Sequence, residues 1–176
     1  MKISFNKWKQ TISNYIESER ISEPNSLNEI DLNNNIFKEE DGTILLTKFD
    51  QTKGLLFISV SQACLLAGYQ EMIFFDGTFK VTPSLFYQLC PFQIYINQYK
   101  TTILGALILL TGKSRNHYEY AFNSSKDIVT NYTIRNIPYE PKQFMIDKED
   151  EIFLSIKTVW PNTQIKLCYF HFGQKF

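Results

Sequence analysis

A chain of 176 residues, 44% apolar and 15% aromatic, is long enough for one domain with a packed core plus a short appendage. Seven glycines and six prolines are too few for a fibrous or disordered chain. Lys+Arg and Asp+Glu each total 18, which excludes a strongly basic nucleic-acid coat while leaving room for a local basic face.

Three widely spaced cysteines, Cys64, Cys90 and Cys168, make no disulfide framework. The start lacks an apolar signal core, and the longest apolar run, 103–110, is too short to span a bilayer. Both features predict an intracellular chain with reduced thiols and no membrane association.

In chain order, a helix is predicted over 5–20, where Phe5, Trp8, Ile12, Tyr15 and Ile16 recur at spacings of three and four. Residues 22–35 turn to Ser, Asn, Pro and Glu and read as a linker, so the helix and linker occupy 1–35. A lead-in segment, 36–71, holds a strand at 42–49, a turn at Lys53-Gly54, and a helix at 55–69 stopped by Gly68. The main domain, 72–176, opens with a short buried strand at 72–75 that ends abruptly at Asp76-Gly77-Thr78. A second strand covers 85–96, and Pro91 within it implies a bulge or a sheet edge. A turn at 97–100 leads to 101–111, nearly all apolar and therefore a central strand. A helix over 116–132 follows, then a strand at 143–146 closed by Asp147. Ile152, Phe153, Ile156, Val159 and Trp160 define a last helix face, with Glu149-Asp150-Glu151 at the end where the dipole favours acids. A final strand is expected at 164–168. The order β-β-β-α-β-α-β predicts an α/β fold: an antiparallel meander followed by right-handed crossovers.

An apolar strand ended by aspartate thus occurs twice, at Asp76 and Asp147. If those two strands are neighbours, both carboxylates emerge side by side, and their repulsion is relieved by a shared cation. Paired hard oxygen ligands select Mg²⁺ or Mn²⁺, the ions of phosphodiester chemistry. A single aspartate after a strand is ordinarily a turn former or helix N-cap, and Asp41-Gly42-Thr43, which no strand precedes, reads that way. Cys168 and His171 form a Cys-x-x-His pair, half of a zinc ligand set; the competing reading is a buried thiol beside a packed imidazole. Lys80, Lys113 and Arg115, with Lys166 and Lys175, are candidates for DNA phosphate contact or ordinary solvated surface. Phe74, Phe75, Phe79, Tyr87 and Trp160 are expected in the core rather than as base-stacking platforms.

Residues 72–174 resemble the catalytic domain of Mutator-like element (MULE) transposases, DDE-type nucleases of RNase H-like fold. The resemblance is carried by Phe75-Asp76-Gly77-Thr78-Phe79-Lys80, Pro83, Phe86 and Gln88-Leu89. It continues through Ala106-Leu107, Leu110-Thr111-Gly112-Lys113, Tyr118 and Phe144-Met145-Ile146-Asp147-Lys148-Glu149. It closes with Trp160-Pro161-Asn162, Cys168-Tyr169-Phe170-His171 and Gln174. It implies that Asp76 and Asp147 are the first two catalytic acids, holding Mg²⁺ or Mn²⁺ for cleavage and joining of DNA at transposon ends. It also implies that Cys168 and His171 support the site, and that the protein works in the nucleus if it acts on DNA. The family's usual Asp-Phe-Glu is Asp147-Lys148-Glu149 here, which keeps the acid. The family's third acid, a glutamate on a later helix, is expected beyond residue 176, so a C-terminally incomplete, catalytically inert chain prone to self-association is anticipated. Two other readings stay open: a non-catalytic DNA- or protein-binding remnant, and another metal nuclease of the same fold acting on RNA–DNA hybrids.

Overall fold

The computed structural model describes residues 24–32, 45–78, 82–132 and 138–168. The helix predicted at 5–20 lies outside them. The chain divides into two compact units, Met1–Ile30 and Asp31–Phe176. In the first, Leu27–Glu29 forms a 3-10 turn, with the Glu29 carboxylate accepting from the Asn25 amide at 2.9 Å.

Among the described residues, the second unit is a seven-stranded mixed sheet with three α-helices. Its elements are β1 (Leu46–Asp50), β2 (Gly54–Ile58), α1 (Val60–Gly68), β3 (Ile73–Phe75), β4 (Gln88–Ile96), β5 (Thr101–Leu110), α2 (Arg115–Tyr132), β6 (Gln143–Ile146), α3 (Asp150–Val159) and β7 (Gln164–Leu167). The spatial order is β1-β2-β5-β4-β3-β6-β7. From β3 onward this is the β-β-β-α-β-α-β order and α/β class expected of an RNase H-like domain. β3, β4 and β5 form the antiparallel meander, and β3–β6 and β6–β7 pair in parallel.

Strand patterns follow from which face is covered. In β4, Gln88, Cys90, Phe92, Ile94 and Ile96 are buried while the alternate residues are less so. The buried row faces the helices, where Phe75, Phe92, Phe122, Phe144 and Trp160 pack edge-on, tilted and, for Phe144 on Trp160, stacked, at centroid separations of 5.0–6.0 Å. Trp160 is fully buried, and its indole N–H donates to the Tyr139 carbonyl at 2.8 Å, so its one polar atom is satisfied. Central β5 is buried from Gly105 to Leu110, apart from half-buried Leu107, as its apolar run predicts.

The structure corrects three expectations. The helix at 55–69 is a strand and then a helix: β2 runs to Ile58, and Ser59 starts α1. The Ser59 hydroxyl accepts from the Gln62 amide at 3.1 Å while the Gln62 side chain accepts from the Ser59 amide at 2.8 Å, a reciprocal capping box. Pro91 lies inside the sheet, not at its edge, and the bulge it was expected to mark is displaced. The register shift comes one residue later, and the spare residue is Gly105 of β5, between Ala106 opposite Phe92 and Leu104 opposite Gln93. A Cβ on Gly105 would lie 2.9 Å from both Ile94 and Leu66, so glycine lets α1 rest on the sheet there. Tyr87 is not core: it is 46% exposed, with the Lys113 ammonium 6.0 Å from its ring centroid. Phe75 and Trp160 are buried and Phe74 half-buried; Phe79 lies outside the described residues. No helix among the described residues is long and apolar enough to cross a membrane.

Candidate active site at the strand ends

β3 and β6 are neighbours in parallel, with Phe75 opposite Ile146. The next residue on each strand is an aspartate, so the sheet brings Asp76 and Asp147 to one edge although 71 positions separate them in sequence. This edge is the carboxyl end of β3, β5, β6 and β7 together, where open α/β sheets place their ligands. Asp76, Asp147 and Cys168 line one cavity of about 130 Å³, with Phe74, Pro91 and Met145 among its walls. Asp76 is exposed and Asp147 half-buried. The Asp147 carboxylate accepts from the Lys148 amide at 2.6 Å, and its carbonyl accepts from the Glu149 amide at 2.9 Å, so the loop is folded tightly around the acid.

The strand ends at Asp76 for a reason written in β4. Phe75 pairs with Phe92, and Thr78 bridges Leu89 through two hydrogen bonds of 2.8 and 2.9 Å. The same register sets Pro91 opposite Asp76, and proline has no N–H to continue the ladder. The pairing therefore opens at the acid and resumes at Thr78. Between them, a Cβ on Gly77 would lie 2.7 Å from Gln88 Oε1, so only glycine passes here without displacing that buried amide.

Behind the cavity runs a hydrogen-bonded chain. Buried Gln88 donates from Nε2 to the Gly112 carbonyl at 3.1 Å and to the Tyr118 hydroxyl at 3.0 Å. Tyr118 donates to Glu149 Oε1 at 2.8 Å. Burial, and the role of donor to Glu149, push the Tyr118 phenol well above its ordinary range, so it keeps the proton it donates. Burial first, then the charges of Glu149 and Asp76, push the Cys90 thiol up as well, which keeps it protonated and inert.

The other predicted residues are placed as follows. Lys113 is exposed on the loop after β5, over the Tyr87 ring. Arg115 opens α2, and its guanidinium is committed within the fold, to Glu119 at 2.7 Å and the Thr158 hydroxyl at 2.8 Å. Neither lines the cavity of Asp76 and Asp147. Cys168 follows β7, half-buried and free of any disulfide, its amide donating to the Ile146 carbonyl at 2.8 Å. Lys80 and His171 lie outside the described residues, so the Cys168–His171 pair has no observed geometry. Among the described residues no three His, Cys, Asp or Glu side chains gather closely enough to hold a metal ion.

Gln88, Tyr118 and Glu149 stand among the residues that carry the resemblance, but the sequence assigns them no role in the site. The signal that could have found Gln88 is an amide on the face of β4 that is otherwise apolar.

The fold and this edge define an α/β domain with two acids at adjacent strand ends. Residues 72–175 match the family model of the MULE transposase domain, and the chain belongs to that family. No curated protein matches it.

Proposed function

We propose that this transposase-family domain binds a divalent cation, Mg²⁺ or Mn²⁺, between Asp76 and Asp147 and uses it on DNA phosphodiesters at transposon ends. The observation that carries the reading is the parallel β3–β6 register, which ends both strands in a carboxylate at the same level. Two hard carboxylates suit Mg²⁺ or Mn²⁺, which complete their shells with water and phosphate oxygens. When bound, such an ion activates a hydroxyl nucleophile and offsets the charge that develops on phosphate. The protein's part is to hold the carboxylates apart at a fixed spacing and keep the strand open at Pro91. Joining two transposon ends calls for two copies of the domain, so self-association and nuclear residence accompany this reading.

The test is Mn²⁺ titrated into the full chain, with free ion read from its EPR signal. Saturable binding is expected, abolished by Asp147→Asn and by Asp76→Asn. Unchanged binding in either variant overturns the assignment. The absence of a third clustered ligand among the described residues favours a second reading, a DNA- or protein-binding domain without chemistry. A footprint on terminal-repeat DNA that persists in EDTA, with no Mn²⁺ bound, would select it.

A further inference from the structure

We propose that Glu149 is a positioning residue for Asp147, locked by the Gln88–Tyr118 hydrogen-bond chain, and not itself a ligand of the ion. The inference rests on the reading of Asp76 and Asp147 as cation ligands.

Glu149 is the N-cap of α3, a position where Ser, Thr, Asp or Asn ordinarily accepts from the helix's first amides. Glu149 makes no such bond. Its carboxylate turns instead to the Tyr118 hydroxyl at 2.8 Å, leaving the start of α3 uncapped. The shorter contacts set the direction of the chain behind it: the Gln88 amide donates to the phenol oxygen at 3.0 Å, and the phenol lies 2.8 Å from the Glu149 carboxylate against 3.4 Å from Gln88 Oε1. Gln88 is in turn fixed by the Gly112 carbonyl and by the close approach of Gly77, the residue after the first acid. One buried network therefore reaches the loops of both acids, Asp76-Gly77 on one side and Asp147-Lys148-Glu149 on the other.

The coupling to Asp147 is short. The Glu149 amide donates to the Asp147 carbonyl at 2.9 Å, so fixing Glu149 fixes the turn in which the Asp147 carboxylate accepts from Lys148. Glu149 is not among the residues lining the cavity that Asp76, Asp147 and Cys168 share; it lines another, with Phe153, Ile165 and Leu167. Outer-shell partners of this kind govern ligand orientation, and their loss weakens metal binding by about 10–100-fold.

The test uses the full chain and Mn²⁺ affinity, with far-UV CD and thermal melts to select folded variants. Tyr118→Phe and Glu149→Ala should each weaken Mn²⁺ binding about tenfold or more, and the double variant should lose no more than either alone. Glu149→Gln should stay close to wild type, because its amide oxygen still accepts the phenol proton. Wild-type affinity in folded Glu149→Ala and Tyr118→Phe overturns the proposal while leaving Asp76 and Asp147 as ligands. So does a Glu149→Gln loss as complete as that of Asp147→Asn, which makes Glu149 a ligand. If Tyr118→Phe does not fold, the contrast between Glu149→Gln and Glu149→Ala decides alone. A wild-type chain that binds no Mn²⁺ overturns the ligand assignment itself, and this inference with it.

Discussion

His117 shows how one side chain can tie a loop to a helix and make the tie depend on pH. Its Nδ1 is hydrogen-bonded to the Ser114 hydroxyl at 2.7 Å, and the ring also bonds the Thr52 backbone in the turn between β1 and β2. Burial and then the positive charge of Lys53 hold its pKa below the ordinary 6.5, outweighing the Thr52 bond and Asp50, which raise it. The folded state thus prefers the neutral ring, and the unfolded chain takes up a proton at higher pH. The contribution is complete above the unfolded value and is lost as pH falls through the folded one. Urea midpoints measured from about pH 7.5 to 5.5, around the ordinary histidine pKa, should fall more steeply for wild type than for His117→Gln. His171 is present in both proteins and cancels, so parallel slopes would refute the role given to His117. The ring also explains Gly112, where a Cβ would stand 2.7 Å from it.

At the scale of elements, the instructive error is the helix read across 55–69. Leu55, Leu56 and Ile58 suit a helix face as well as a buried strand, because a short apolar run has no decisive period. The missing signal was Ser59-x-x-Gln62, the capping box that fixes where α1 begins. Removing its hydroxyl in Ser59→Ala should cost about 0.5–2 kcal/mol in urea unfolding, with no change in Mn²⁺ affinity, since Ser59 follows β2 at the end of the sheet opposite to Asp76 and Asp147. No loss of stability would mean that packing alone holds the start of α1. The meander and the two crossovers were legible because each strand is a distinct apolar run with its own stop signal. The two aspartates were legible because each ends such a run. The Gln88–Tyr118–Glu149 chain was not, because its members come from three separate elements and touch only through space.

For the molecule as a whole, the aromatic seam between sheet and helices is the main cohesive feature. Trp160 sits within it, touching Phe122, Phe144 and Tyr139. Trp160→Ala removes a fully buried ring and one buried hydrogen bond, and should destabilise the protein by about 3–5 kcal/mol in urea unfolding. A loss under about 1 kcal/mol would show that the layers cohere without it. The tryptophan was legible as core from its helical spacing, whereas the exposure of Tyr87 depended on a loop conformation that spacing does not encode.

The neighbourhood of β3 and β6 has a kinetic side. β4, β5 and α2 must all be threaded before these two strands can meet, so the contact closes a long loop and contributes heavily to contact order. Neither aspartate has its partner until that closure is made. The acidic pair is therefore a property of the topology that runs from β3 through β6, and a fragment ending before β6 lacks it.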